Sequence, residues 1–259
     1  MATKRPLILV TNDDGINAPG IRALIEVMNE IGEVYVMAPD SPQSGMGHAI
    51  TINDAVYCNH IKVGEGAPQQ EYSCSGTPVD CVKLAMNAIL TRKPDLCVSG
   101  INHGSNSSIN VIYSGTMSAA VEAGTMGIPA IGFSLLDFSL EADFNPSKKI
   151  VKKIALETLK NGLPKGVVLN VNIPKLNTPE IRGIKICRQA NAHWQEKFDK
   201  RINPMGREYY WLSGEFVNED KGKDTDEWAL SKGYVSVVPV QYDLTAHHAL
   251  NELNSWDLK

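Results

Sequence analysis

The chain has 259 residues, 43% of them hydrophobic and 21% charged, with a net charge of −4. Those totals fit one large α/β domain, or one domain with an appendage, and the acidic balance argues against a nucleic-acid polymer or an acidic membrane as partner. Five cysteines without a C-x-x-C pair predict reduced thiols, no apolar stretch reaches the ~18 residues of a membrane span, and Met1–Pro6 enters a strand too short for a signal h-region, so a cytoplasmic protein is expected.

Leu7–Thr11 is an aliphatic run bounded by turn residues and reads as a buried parallel strand. Pro19–Ile31 has apolar Ile21, Leu24, Ile25, Met28 and Ile31 at helical spacing. A second strand, Val34–Ala38, is ended by Pro39, and a polar, glycine-rich loop runs from Asp40 to His48. Ile50–Tyr57 and Tyr72–Cys74 are expected to be extended. Thr77-Pro78-Val79-Asp80 predicts a helix start, with Thr77 as cap, Pro78 at the first position and Asp80 in the first turn; the helix should reach about Leu90.

Leu96–Ser99 reads as a strand, Gly100–Ile112 as a loop, and Ser114–Met126 as a helix of small residues. Ala130–Ser134, Pro146–Asn161 and Val167–Val171 continue as strand, helix and strand. This order predicts an α/β fold with a mostly parallel sheet and helices on both faces. The rhythm changes after about Pro174. Ile184–Arg188, Tyr209–Leu212 and Tyr234–Val240 look extended, Asn218–Asp226 is a charged loop, and the tail from Ala246 suggests a short helix. We therefore divide one domain into an α/β core, residues 1–174, and a C-terminal part, residues 175–259. Residues 189–233 form a hairpin-like extension in this reading, used for assembly or covering their own domain.

Three strand ends carry unusual polar loops: Asn12-Asp13-Asp14-Gly15, Asp40-Ser41-Pro42-Gln43-Ser44-Gly45, and Asn102-His103-Gly104-Ser105-Asn106 leading to Tyr113-Ser114-Gly115-Thr116. Parallel strands bring such loops to one sheet edge, where ligands bind. Two carboxylates about 4 Å apart repel by roughly 1 kcal/mol in water and about 4 at an effective dielectric of 20. A hard divalent cation offsets that, and Mg²⁺ takes one or two carboxylates with neutral oxygens. An ordinary Asp-Gly turn is the alternative. Ser114 and Thr116 lie at a helix start, where free N–H groups and the dipole bind phosphate; simple capping by Ser114 is the alternative.

Absent motifs narrow the choice. There is no P-loop, no G-x-G-x-x-G after the first strand and no G-x-S-x-G elbow. Asn12 stands where a haloacid-dehalogenase-type phosphatase has its nucleophilic aspartate, and a carboxamide is a very poor nucleophile. An activated water is the more economical expectation. His103 and His48 lie in the loops, but a packing or capping role is expected for each ahead of acid catalysis.

Val10-Thr11-Asn12-Asp13-Asp14-Gly15 with Ala18-Pro19-Gly20-Ile21 resembles the signature of the SurE (survival protein E) family. Ala38-Pro39-Asp40, Gln43-Ser44-Gly45, Ser75-Gly76-Thr77-Pro78 with Asp80-Cys81-Val82, Ser99-Gly100-Ile101-Asn102-His103-Gly104-Ser105-Asn106, Tyr113-Ser114-Gly115-Thr116 and the distal Tyr209-Tyr210-Trp211 and Gly233-Tyr234-Val235-Ser236 extend the resemblance in the right order over nearly the whole chain. Departures lie at Ser118, Asp224-Thr225-Asp226 and Val238-Pro239-Val240.

The resemblance implies a Rossmann-like core and a divalent-metal-dependent phosphomonoesterase that cleaves nucleoside 5′-monophosphates, and 3′-monophosphates, with one Mg²⁺ or Mn²⁺ per subunit. It implies that Asp13, Asp14, Ser44 and Asn102 hold the metal and that Asn106, Ser114, Gly115 and Thr116 surround the phosphate. Asp13, Asp14, Asn106 and Ser114 are thus the catalytic candidates. It also implies a homodimer or homotetramer that exchanges the extension between subunits. The competing expectation is a nucleotide-binding regulatory or scaffold protein that does not hydrolyse.

Overall fold

Alternate residues of β1 (Leu7–Thr11) point to opposite faces of the sheet, and both faces are covered. Ile8 and Val10 join a core built with α1 (Pro19–Ile31) and α4 (Asn145–Asn161). Leu9 faces the other way, toward α2 (Pro78–Leu84) and α3 (Gly115–Thr125). The computed structural model describes residues 5–64, 66–139 and 141–258. Met1–Lys4, part of the segment read for a signal, lie outside the described residues.

The other strands are β2 (Glu33–Pro39), β3 (Cys58–Ile61), β4 (Gln70–Cys74), β5 (Leu96–His103), β6 (Ala130–Leu135), β7 (Val167–Ile173), β8 (Ile184–Ile186), β9 (Ala192–Ile202), β10 (Glu208–Asn218) and β11 (Val235–Gln241). The main sheet has the order β3-β4-β2-β1-β5-β6-β7-β11-β8. It is parallel from β4 through β7, while β3 and β11 each add an antiparallel pairing. The chain builds outward from β1 through β2 and β4, then returns to β1's other side with β5. That reversal opens a crevice between the carboxyl ends of β1 and β5, the place where open α/β sheets bind ligands.

Three elements differ from the sequence expectations. Residues 50–57 are irregular, and the strand is Cys58–Ile61. There the Thr51 N–H and hydroxyl donate to Asp80 at 3.1 and 2.6 Å, so a side chain replaces sheet pairing. The helix expected to reach Leu90 is α-helical only to Leu84 and widens into a π-turn over Ala85–Ile89, closed by Leu90 N–H to Ala85 O at 2.8 Å. β5 continues to His103, with a bulge between Ser99 and Asn102.

β9 and β10 form a separate two-stranded hairpin, mostly exposed. After the hairpin, α5 (Asp226–Ser231) packs on β11 through Ala229 and Val238. Among the described residues no helix is long and apolar enough to cross a membrane.

Candidate active site

Asp13 lies two residues past the end of β1 and is 4% exposed. The N-terminus of α3 comes so close that a Cβ on Gly115 would lie 2.7 Å from the Asp13 Cβ. Only glycine permits that approach. Thr116 donates its hydroxyl to Asp13 Oδ1, and its N–H also faces this carboxylate. Burial pushes the Asp13 carboxyl up to about 6; the Asp14 charge adds to the rise and the Thr116 hydrogen bond opposes it.

Asp14 is less buried, and burial raises its carboxyl too. Its Oδ2 accepts a 3.3 Å hydrogen bond from the His103 N–H. Neither carboxylate has a Lys or Arg ion pair among the described residues. Two adjacent carboxylates held without a cationic side chain are what a bound cation relieves.

The β5 bulge brings Asn102 to the same edge. It requires Gly100, whose φ is +120° and whose Cβ would lie 2.3 Å from Phe133 O. Asn102 Nδ2 donates to His103 O and Gly104 O, both at 3.0 Å, which leaves Oδ1 as an acceptor. Ser44 sits in an exposed turn tied to the acidic turn after β1 by Gln43 N–H to Asp13 O at 2.7 Å. The far end of that loop is fixed where His48 Nε2 meets buried Glu122 at 2.9 Å, with Lys83 at 2.6 Å. Two carboxylates, a hydroxyl and a carboxamide oxygen fit a hard divalent cation. Among the described residues no three His, Cys, Asp or Glu side chains cluster as a softer metal would need.

Ser114 caps α3: its Oγ accepts from Met117 N–H at 3.0 Å. A hydroxyl that accepts still has a proton to donate, so capping and anion binding are compatible. In the helix's first turn the Met117 N–H is capped by Ser114 and the Thr116 N–H faces Asp13; the Gly115 N–H has no acceptor among the described residues and is left for an anion. Asn106 is buried, with Nδ2 donating to Ser134 Oγ at 2.8 Å; its amide keeps a second N–H. Thr116 is fully buried, and from the start of the same helix its hydroxyl donates to Asp13.

Asn12 is turned inward, its Nδ2 donating to Gly15 O at 2.9 Å, and it braces the turn. His103 stacks on Phe144 at 5.0 Å. His48 is the loop tether described above. His48 is thereby committed to Glu122, whereas the buried Nε2 of His103 has no hydrogen-bond partner among the described residues.

Sequence reasoning missed the support beneath Asn106. Asn172 Oδ1 accepts from Asn106 N–H at 2.8 Å, and Asn170 Nδ2 donates to Asn106 O at 2.8 Å. The signal was there: Asn170-Val171-Asn172 puts two amides in a strand that is otherwise aliphatic. Asp226 and Glu227 were also missed. They reach Ser108 N–H at 2.7 Å and the Ser107 hydroxyl from a helix more than a hundred residues away.

An open α/β sheet with an acidic oxygen site at its switch point, facing a helix N-terminus, defines a class of phosphate-handling proteins. The family model for survival protein SurE matches residues 8–196. The chain is 73% identical to 5′-nucleotidase SurE of Christiangramia forsetii over 258 residues, covering 100% of this chain and 99% of that one. It is 72% identical to 5′-nucleotidase SurE of Flavobacterium psychrophilum, covering 98% of each. The crystal structure of the SurE protein from Aquifex aeolicus superposes with a TM-score of 0.83 at 38% identity, over 96% of this chain and 98% of that one. The chain belongs to the SurE family.

Proposed function

We propose that this chain is a divalent-cation-dependent 5′-nucleotidase, a phosphomonoesterase for nucleoside 5′-monophosphates that also accepts 3′-monophosphates. The observation that carries the reading is the Asp13–Asp14 pair, buried and half-buried respectively without a cationic side chain, with Asp13 set against the N-terminus of α3. The names of its relatives point the same way.

Asp13, Asp14, Ser44 and Asn102 would hold one cation per subunit, Mg²⁺ or Mn²⁺. When bound, such an ion supplies Lewis-acid charge and makes water a better nucleophile at neutral pH. The protein's own part is positioning and charge stabilisation. Ser114 O–H, Gly115 N–H and the free N–H of Asn106 donate to phosphoryl oxygens. Thr116 acts through Asp13, fixing its carboxylate. Asp14, the more accessible acid, orients the attacking water through Oδ1, which has no donor among the described residues. Asn12 forms no covalent intermediate, since a carboxamide is a very poor nucleophile.

The protein works in the cytoplasm in this reading, as a homodimer or homotetramer. The support for assembly is the hairpin, where Phe198, Trp211 and Leu212 are each about 60% exposed.

The test is phosphate release from a panel of 5′- and 3′-nucleoside monophosphates, with an acid quench for phosphoenzyme. Release with Mg²⁺ or Mn²⁺ and no acid-stable phosphoenzyme is expected. Tight nucleotide binding without release would favour the regulatory alternative.

A further inference from the structure

Beside the carboxylate edge lies an open cavity of about 550 Å³, a volume typical of small-molecule sites. Gly45, which follows Ser44, and Tyr113, which precedes Ser114, form one side. The root of the hairpin forms the other, through Trp194, Glu196 and Leu212.

The shape follows from strand alternation. On β10, Phe216, Gly214 and Leu212 share one face, opposite Trp194, Glu196 and Phe198 of β9. Gly214 has no side chain, so a notch opens between Phe216 and Leu212. Trp194 is fixed beside it: Nε1–H donates to Asn110 Oδ1 at 2.7 Å, and the ring meets Phe216 edge-on at 5.5 Å. Tyr113 is 51% exposed. Two aromatic side chains thus line an open space, with the Glu196 carboxylate among them.

We propose that this cavity is the nucleobase subsite: the base stacks against Tyr113 and Trp194, and Glu196 accepts a hydrogen bond from a ring N–H or exocyclic amino group. The inference rests on the phosphomonoesterase reading of the Asp13–Asp14 edge. Gly45 and Tyr113 are each one residue, about 3.8 Å between Cα atoms, from Ser44 and Ser114. A phosphate at the edge and a ring in the cavity are therefore separated by a span that a ribose bridges. Aromatic faces attract every base, so stacking supplies affinity for the nucleoside as a class. A carboxylate accepts only, so Glu196 selects N–H donors and repels a second phosphate.

The test compares AMP with ribose 5-phosphate, which keeps the sugar and phosphate but lacks the base. Tyr113→Ala and Trp194→Ala are each expected to lower the AMP to ribose 5-phosphate ratio of kcat/KM about tenfold, through the KM for AMP. Tyr113→Phe, which keeps the ring, retains the wild-type ratio. Adenosine should inhibit ribose 5-phosphate hydrolysis, and about tenfold more should be needed in Tyr113→Ala. Because each readout is relative, a general loss of activity does not mimic the effect.

A ratio within about twofold of wild type in both alanine variants, well below a stacking contribution, would overturn the subsite. Failure of the wild-type protein to release phosphate from either compound is a different result and overturns the phosphomonoesterase reading. Adenosine titration by calorimetry then decides the subsite alone: equal affinity in wild type and Tyr113→Ala rejects it.

Discussion

Asp13 carries a conflict between folding and function. Its carboxyl is raised to about 6 by burial, so between about pH 4 and 6 the folded state holds the proton more tightly than the unfolded chain. Without a cation, stability therefore falls as pH rises through that window and stays lower above it. The shift of about two units corresponds to roughly 3 kcal/mol as a ceiling. Asp13→Asn keeps an oxygen for the Thr116 hydroxyl and cannot ionise. In chelator at pH 8 it should raise stability by about 2 kcal/mol, or about 4–8 °C in Tm for a domain of this size. Near pH 4 most of the gain should disappear, and activity should be lost at every pH. Thermal melts of both proteins across that range check this; an unchanged Tm at pH 8 would contradict it.

At the scale of elements, the helix that returns from the C-terminal part holds the loop after β5 in place. Asp226 is fully buried and accepts the Ser108 N–H at 2.7 Å and the Ala190 N–H at 2.9 Å. Asp226→Ala leaves both donors unpaired, at about 1–3 kcal/mol each. The expected result is a Tm lower by at least about 4 °C, with a several-fold lower kcat as Asn106 loses its support. A melt and steady-state kinetics measure both, and wild-type values for both would reject this role.

This clamp also marks where sequence reading ends. β1 with its acidic turn, the bounds of α1 and the cap of α2 depend on neighbours within a few residues, and all were legible. Thr116 finds Asp13 across 103 positions, and Asp80 finds Thr51 across 29. The first ties the helix start to the acidic turn, and the second turns an expected strand into a loop. The β5 bulge was hidden for a similar reason, since Gly100 is required by the backbone of the neighbouring strand.

On the scale of the whole molecule, the body and the hairpin obey different physics. The body buries both faces of a nine-stranded sheet. The hairpin exposes apolar side chains on both of its faces, with Phe198 on one and Trp211 on the other. A lone two-stranded hairpin is marginal in water, so a second chain is its natural support. Phe198→Asp combined with Trp211→Asp should convert the assembly to monomers in sedimentation velocity; a mass equal to wild type would reject the hairpin as the interface. Because the base subsite lies at the hairpin's root, assembly and substrate affinity are expected to be coupled.

All of this depends on the carboxylate edge acting through a cation on a phosphomonoester. The direct measurement is inorganic phosphate released from AMP by wild type and by Asp14→Asn, each with Mn²⁺ and with chelator. Wild type with Mn²⁺ should turn over, while the other three conditions should fall at least about a hundredfold, in line with loss of electrostatic stabilisation of the transition state. Full activity in chelator, or in Asp14→Asn, would contradict the account.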